Sequence, residues 1–563
     1  VRSGEGRLAP AAAEDVSAPV GSRTRGADSA PERSPDSPKG ASKGAVERQK
    51  LAGRAGVVGA GTLASRVLGL GRDMALAAVF TRSETDAFFV AFTIPNALRQ
   101  LLGEGAISSA VVPVLTEKLE TQGDEGAKRF FARVRGVSLL ALVCVTALGM
   151  ALARPLTELF AGGYHDRGDA LFERTVALTR TVFPYIFFMG TAALGMAALN
   201  AKRRFAVAAF APGLLNVAFL AGAFLLPGPL AAAGIDRTQA LAVSALVGGA
   251  LQVVAQWPAL RKIGFLGRPT LDLADPGVRE VLRRIGPMTL GIGIYYVDLV
   301  LSRRFLSELG EGAQSYFSWA MRLCDFPQGI FVMAISTAAL PSLSSLAARG
   351  EREELRKTFA HGMRLSLFVA IPASAALVSI GEPLVAALFQ RGHFDATASQ
   401  ETTRALFWQG GALWTVAAVR QLVPVFYALG DTRTPVVVSG IDLLAFVALA
   451  LSLRGPMGHA GVSAAVAGSS FVQMALLAFF LRRKLSTLRG GEIGASALRT
   501  TIASVVAGLG GWGAAHLVPP WPMLRGVASG AAFAVLFLVA AWGTRAPELE
   551  GLLRGVRRRA GRA

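Results

Sequence analysis

From about residue 55 the chain alternates apolar runs with short polar connections rich in Lys and Arg. The runs are about 20 residues long, the length a helix needs to cross the hydrocarbon core of a bilayer. Fourteen membrane spans are predicted, beginning near residues 55, 86, 134, 176, 205, 237, 280, 314, 360, 399, 434, 459, 494 and 523. The basic residues gather in alternate connections: Arg48, Lys50 and Arg54 before the first span, Lys128, Arg129 and Arg133 after the second, Lys202, Arg203 and Arg204 after the fourth. Arg261, Lys262, Arg283 and Arg284 continue the series, as do Arg349, Arg352, Arg356 and Lys357, then Arg482, Arg483 and Lys484, then Arg557, Arg558 and Arg559. The positive-inside rule makes these connections cytoplasmic and predicts both termini on the cytoplasmic side of a multi-pass protein.

The pattern also repeats. Ala106-Ile107-Ser108-Ser109-Ala110-Val111-Val112-Pro113 returns 228 residues later as Ala334-Ile335-Ser336-Thr337-Ala338-Ala339-Leu340-Pro341, and Pro155-Leu156 returns at the same offset as Pro383-Leu384. Each unit holds six spans, an even number, so the two units enter the membrane in the same sense and are expected to form parallel lobes around a central cleft. The fold class expected is an all-α polytopic membrane protein: an N-lobe over residues 51–265, a C-lobe over 266–485, two further helices over 486–546 and a basic cytoplasmic tail over 547–563. Residues 1–50 are rich in Ala, Pro, Ser, Gly and Arg and poor in large apolar side chains, which predicts a disordered tail without the apolar stretch of a signal peptide.

Composition agrees with this and excludes other classes. Of 563 residues 52% are hydrophobic and 17% charged, with a mean hydropathy of +0.46, too apolar for a soluble enzyme of this size. The net charge of +20 lies in topology-determining clusters rather than on one amphipathic face, so nucleic acid is not an expected partner. Cys144 and Cys324 are far apart in apolar segments, the five histidines have no ligand spacing, and no metal site is expected. No phosphate-binding loop or nucleophile–base pair stands out, so neither ATP hydrolysis nor catalysis is expected, and no cofactor.

The informative residues are charges inside the spans. A charge at the bilayer centre costs roughly 2.5–3.5 kcal/mol, so Arg66, Arg72, Arg99, Arg303 and Arg322 would together cost on the order of 10–15 kcal/mol facing lipid. They are expected to line a hydrated cavity that receives an anion. Arg66 and Arg72 stand about 240° apart around the first span and flank a polar sector, with Gly69 and Gly71 between them and Asp73 as a neutralising partner. In the second span Pro95 kinks the helix beside Asn96 and Arg99, which share a face. Asp86 opens that span, where it either serves function or satisfies the helix dipole, and Glu104 further on is a gate or a structural ion pair. The C-lobe repeats a charge beside a kink, with Arg322 and Asp325 just before Pro327, and Arg303 or Arg304 facing the cavity. Asp298 and Asp442 are candidates for a coupling-cation site or partners for arginines such as Arg420.

These residues resemble the MurJ (MviN) lipid II flippases of the MOP exporter superfamily. The resemblance is carried by Ser65-Arg66-Val67-Leu68-Gly69, Arg72-Asp73, Thr85-Asp86-Ala87-Phe88-Phe89-Val90-Ala91-Phe92 with Pro95-Asn96, Glu104-Gly105-Ala106, Phe183-Pro184-Tyr185, Leu215-Asn216, Leu388-Phe389-Gln390-Arg391-Gly392 and Asp431-Thr432-Arg433-Thr434-Pro435. It implies fourteen helices in two lobes and movement of lipid II, the undecaprenyl-pyrophosphate-linked peptidoglycan precursor, from the inner to the outer leaflet of the bacterial cytoplasmic membrane. It also implies essential cavity arginines at Arg66, Arg72, Arg99 and Arg322, an essential acid at Asp86, and a groove for the lipid tail between the last two helices. Ser302, Phe446 and Ala450 stand where relatives often carry ion-coordinating groups, which argues against a family-type sodium site. A coupling ion and the membrane potential both stay open as driving forces, and a monomer in contact with membrane lipids is expected. The alternatives are a polysaccharide-lipid flippase or a multidrug antiporter of the same superfamily. The antiporter should line its cavity with carboxylates and aromatics, against the arginine excess here.

Overall fold

Among the described residues of the computed structural model, 43–99, 107–291 and 293–551, every regular element is helical. In chain order come α1 (Lys43–Val79), α2 (Arg82–Arg99), α3 (Ser108–Ala151), α4 (Ala153–Ala161), α5 (Asp169–Val182), α6 (Tyr185–Ala201), α7 (Phe205–Leu225), α8 (Pro227–Ala232) and α9 (Gln239–Lys262). These are followed by α10 (Pro276–Gly291), α11 (Gly293–Ser307), α12 (Ala313–Pro327), α13 (Met333–Ala348), α14 (Arg352–Ser379), α15 (Gly381–Phe389), α16 (Ala396–Gly411), α17 (Leu413–Ala428), α18 (Arg433–Met457) and α19 (His459–Leu485). Then come α20 (Gly490–Leu517) and α21 (Pro522–Gly543). Among the described residues eight helices are long and apolar enough to cross a membrane, fewer than the fourteen spans expected.

The disordered tail expected over residues 1–50 lies outside the described residues up to 42; α1 already begins at Lys43, inside that stretch. Glu104 and residues 552–563 of the basic tail also lie outside them. Lys128, Arg129 and Arg133, expected in a connection, sit instead in the second arm of α3, which breaks at Gly123 with φ of 66°. Glycine adopts that left-handed conformation without the steric penalty other residues incur.

The sequence duplication is written into the helix boundaries. α4, α6 and α7 begin at residues 153, 185 and 205, and α15, α17 and α18 begin at 381, 413 and 433, each 228 residues on. α20 and α21 pack on each other and against α14 and α15. Large apolar side chains remain at the surface, among them Leu444 at 70% exposure and Trp542 at 75%. A water-facing surface would make these an association hazard, whereas a lipid-facing one leaves them in their own solvent.

The core that positions the site joins α2 to α12. Phe89 meets Trp319 edge to face at 4.7 Å between ring centroids, Trp319 meets Phe389 at 5.5 Å, and Phe389 meets Phe394 at 5.6 Å. Edge-to-face pairs of this kind contribute about 0.5–1.5 kcal/mol beyond the area they bury. Pro327 ends α12 and is followed by a π-helical turn, Gln328–Val332. Proline cannot donate the helical hydrogen bond, and a π turn is a common resolution at a functional bend.

Candidate functional site

α1 and α12 bring three guanidinium groups, Arg66, Arg72 and Arg322, to one cavity of about 570 Å³, lined also by Asp73, Asp325 and, from α7, Asn216. Asp73 is 4% exposed and organises the wall. Its Oδ1 accepts from Arg72 Nε at 2.8 Å and Nη2 at 2.6 Å, and its Oδ2 stands 3.5 Å from Arg322 Nε. Arg72 Nη1 also donates to Asn216 Oδ1 at 3.1 Å, and Asn216 Nδ2 donates to the Ser65 carbonyl at 2.9 Å. The asparagine thus fixes α7 to α1 and turns its oxygen to the arginine.

Arg66 is held differently. Its Nη1 donates to the Asp325 carbonyl at 3.3 Å, and its Nε is buried without a partner. No carboxylate lies within 4 Å of it, so it forms no ion pair among the described residues and Asp325 offsets its charge only at longer range. Three arginines therefore face two aspartates in the cavity, and an excess positive charge remains for a bound anion.

Gly329, in the π turn, makes room for that arrangement. A Cβ there would stand 2.0 Å from Arg66 Nη2. Gly329→Ala is therefore expected to push the guanidinium off the cavity wall while the fold survives, because the atom displaced is the end of a flexible side chain. Transport falling several-fold with an unchanged unfolding temperature is the expected result, read by vesicle transport and thermal unfolding.

The other expected site residues fall nearby or elsewhere. Asn96 and Arg303 line an adjoining pocket of about 270 Å³ that shares Arg322 and Asp325 with the first. Arg303 is buried and donates to Gln314 Oε1 at 3.0 Å and Ser318 Oγ at 2.8 Å, so it is tied into the α11–α12 contact. Arg99 lines neither pocket; its Nε donates to Asn96 Oδ1 at 3.0 Å. Arg322 does not pair with Asp325 three residues on but reaches across to Asp73. Asp298 and Asp442 lie within electrostatic reach of each other on α11 and α18, and no cluster of three acids, histidines or cysteines capable of holding a metal is present among the described residues.

Asp86 has a role that the periodicity of its own helix does not disclose. It is fully buried and serves α12: Gly312 N donates to it at 2.8 Å, Ser315 N at 2.9 Å and Ser315 Oγ at 2.7 Å, while Arg167 Nη1 stands 3.6 Å away. Helix α12 has no side-chain cap of its own, and its free N–H groups draw a carboxylate. Thr85 Oγ1 lies 2.7 Å from Ser315 Oγ beside it. Gly163 N donates to Ser307 Oγ at 3.2 Å, and Arg304 Nη1 donates to the Glu158 carbonyl at 3.0 Å, which ties α4 and the turn Gly162–Arg167 to α11.

His165 in that turn sits between Glu158, 2.8 Å from Nε2, and Asp169, 3.1 Å from Nδ1. The bond to Asp169 and then that to Glu158 raise its pKa. A raised folded pKa gives a stabilising contribution that is complete below the unfolded value near about 6.5 and is lost as pH rises through the folded one. His165→Gln is expected to flatten the pH dependence of thermal stability above about pH 6.5, read by thermal unfolding across that range.

Gly329 and Arg167 are participants that sequence reasoning did not single out, and Asn216 entered it only within a motif, with no role given. Only Asn216 carried a signal, an amide within the apolar run Leu214-Leu215-Asn216-Val217.

The fold is shared with solved membrane transporters. It matches a solved lipid II flippase MurJ in an inward closed conformation with a TM-score of 0.70 at 21% identity, covering 86% of this chain and 99% of that one. An inward-facing multidrug resistance MATE family transporter of the MOP superfamily matches with a TM-score of 0.59 at 15% identity, over 76% and 96%. The family model for the lipid II flippase MurJ matches residues 76–527. Lipid II flippase MurJ of Burkholderia cenocepacia is 36% identical over 429 residues, 75% of this chain and 82% of that protein. The probable lipid II flippase of Bdellovibrio bacteriovorus is 33% identical over 466 residues, 82% and 87%. The chain belongs to the MurJ family of lipid II flippases.

Proposed function

We propose that this protein is a lipid II flippase whose arginine-lined cavity binds the pyrophosphate of the lipid-linked peptidoglycan precursor and carries its head group from the inner to the outer leaflet. The observation that carries the reading is the convergence of Arg66, Arg72 and Arg322, with Arg66 in no ion pair among the described residues. Planar guanidinium groups bind phosphate oxygens in pairs of parallel hydrogen bonds, so the three can replace the hydration shell of a diphosphate. The family membership supports the substrate. The protein is a transporter, not an enzyme.

In this reading fourteen helices form two six-helix lobes plus α20 and α21, both termini are cytoplasmic, and the protein works as a monomer. The Asp86 contact with α12 and the Phe89–Trp319 seal close the outer end while the head group enters from the cytoplasm. The diphosphate then displaces Arg322 from Asp73, where their separation of 3.5 Å is the longest in the cluster. That exchange draws α12 toward α1, and the lobes rock to open outward. α20 and α21 shelter the lipid tail in the bilayer. Asp325 stays beside the arginines as a countercharge when the cavity is empty. Arg99 and Arg303 act on the substrate through Asn96 and α12, respectively. The membrane potential, worth about 2.3 kcal/mol per unit charge per 100 mV, returns the empty carrier.

The test is complementation. In bacteria depleted of their own flippase, the full chain is expected to prevent lysis and restore exposure of the precursor on the outer leaflet. Normal membrane levels of the protein without that exposure would contradict the proposal.

A further inference from the structure

A second cavity, of about 270 Å³, lies between α3, α6 and α9 and shares no residue with the arginine cavity. Its walls are mainly apolar, including Phe131, Leu139, Leu194 and Val253, with Gln256, Arg135 and Thr191 set into them, the last already bonded to the Phe187 carbonyl. Gln256 is 1% exposed, and neither its amide nitrogen nor its oxygen has a hydrogen-bond partner. Such a group is costly to bury unless something completes it. Gly195 leaves it room: a Cβ there would stand 2.4 Å from Gln256 Oε1.

Arg135 donates to the carbonyls of Phe265, at 3.1 Å, and Gly267, yet its Nε is buried and unpartnered. No carboxylate pairs with it among the described residues. Trp257 stands at the mouth, half exposed, and α9 ends just beyond in Arg261 and Lys262, both exposed. Tryptophan and then basic residues is the order in which a helix leaves the hydrocarbon core for the head-group layer.

We propose that this cavity binds one anionic phospholipid of the surrounding leaflet. An acyl chain lies among Phe131, Leu139, Leu194 and Val253, a glycerol ester meets Gln256, and the phosphate meets Arg135. Water alone would complete the glutamine but would neither neutralise the arginine nor fill an apolar pocket. A neutral lipid would fill the pocket and leave the cation uncompensated. The site is separate from the transported substrate, so its failure would leave the flippase reading untouched.

The test uses the purified full chain in nanodiscs of phosphatidylcholine alone or with phosphatidylglycerol, read by native mass spectrometry of retained lipid and by thermal unfolding. Wild type is expected to retain one phosphatidylglycerol in preference to phosphatidylcholine and to unfold at a higher temperature with it. Arg135→Gln, which removes one charge-assisted contact, is expected to weaken that retention about tenfold. Val253→Trp, at a half-buried position, should expel the chain. Gln256→Leu separates a ligand contact from an unpaired core amide: weaker retention of phosphatidylglycerol supports the site, and an equal rise in unfolding temperature in both discs with retention unchanged overturns it. Equal retention of the two lipids by wild type would also overturn it.

Discussion

Arg72→Ala is expected to abolish transport and to destabilise the protein, whereas Arg322→Ala is expected to abolish transport with the unfolding temperature nearly unchanged. The difference follows from burial. Arg72 is 11% exposed at its side chain and holds Asp73 through two donors, with Asn216 as a third contact and the Phe219 ring 5.5 Å from its guanidinium carbon. Its removal strands a buried carboxylate, and breaking a buried ion pair from one side costs about 3–5 kcal/mol. Arg322 is 41% exposed and lies 3.5 Å from the same carboxylate, a pairing in the range of a surface ion pair, about 0–1 kcal/mol. Arg72→Lys should recover part of the stability and little of the transport, because an ammonium cannot make the forked contact. Vesicle transport and thermal unfolding at matched protein levels read both effects. Equal destabilisation by the two alanine variants would contradict the division of roles.

The second large effect is at the closed end. Asp86→Ala removes the acceptor of three hydrogen bonds from the start of α12 and the countercharge of Arg167. The loss is expected to be about 3–5 kcal/mol, the cost of uncovering a buried charge, rather than the roughly 0.5–2 kcal/mol of an ordinary helix cap. Asp86→Asn retains shape and one acceptor and should lose less. A complementary pair, Thr85→Cys with Ser315→Cys, replaces two hydroxyls 2.7 Å apart, close enough for a disulfide with little backbone movement. Oxidation is expected to arrest transport and reduction to restore it. Full transport by the oxidised pair would show that this end never opens.

Much of this was legible along the chain, for identifiable reasons. Helices recur at the spacing of the duplication because the apolar runs and prolines that set their ends recur there, as at Pro155 and Pro383 inside α4 and α15. Arg66 and Arg72 were readable as cavity residues because a cation in an apolar run has few other solutions. What was hidden depends on contacts between helices. Periodicity places Asp86 on a face of α2 but says nothing of the uncapped end of α12 that meets it. The spacing of Arg322 and Asp325 showed a charge beside a kink but not the partner of Arg322, which is Asp73 on α1. Arg99 was legible as a charge in a span, but it bonds Asn96, which lines the adjoining pocket, without lining that pocket itself. Gly329 carried no signal at all, since the need for a missing side chain arises only once Arg66 lies against it.

The most direct measurement is the affinity of the purified protein for lipid II as a function of salt, for wild type and for Arg66→Gln, Arg72→Gln and Arg322→Gln. Each substitution is expected to weaken binding by about tenfold, the effect of losing one charge-assisted contact of about 1.5–3 kcal/mol. Arg66→Gln should do so with the least effect on folding, because Arg66 forms no ion pair in the cavity wall. A lipid analogue carrying a hydroxyl in place of the diphosphate should bind with no dependence on these residues. Unchanged affinity in all three variants, or an equal loss for the neutral analogue, would contradict a cavity built to hold the diphosphate.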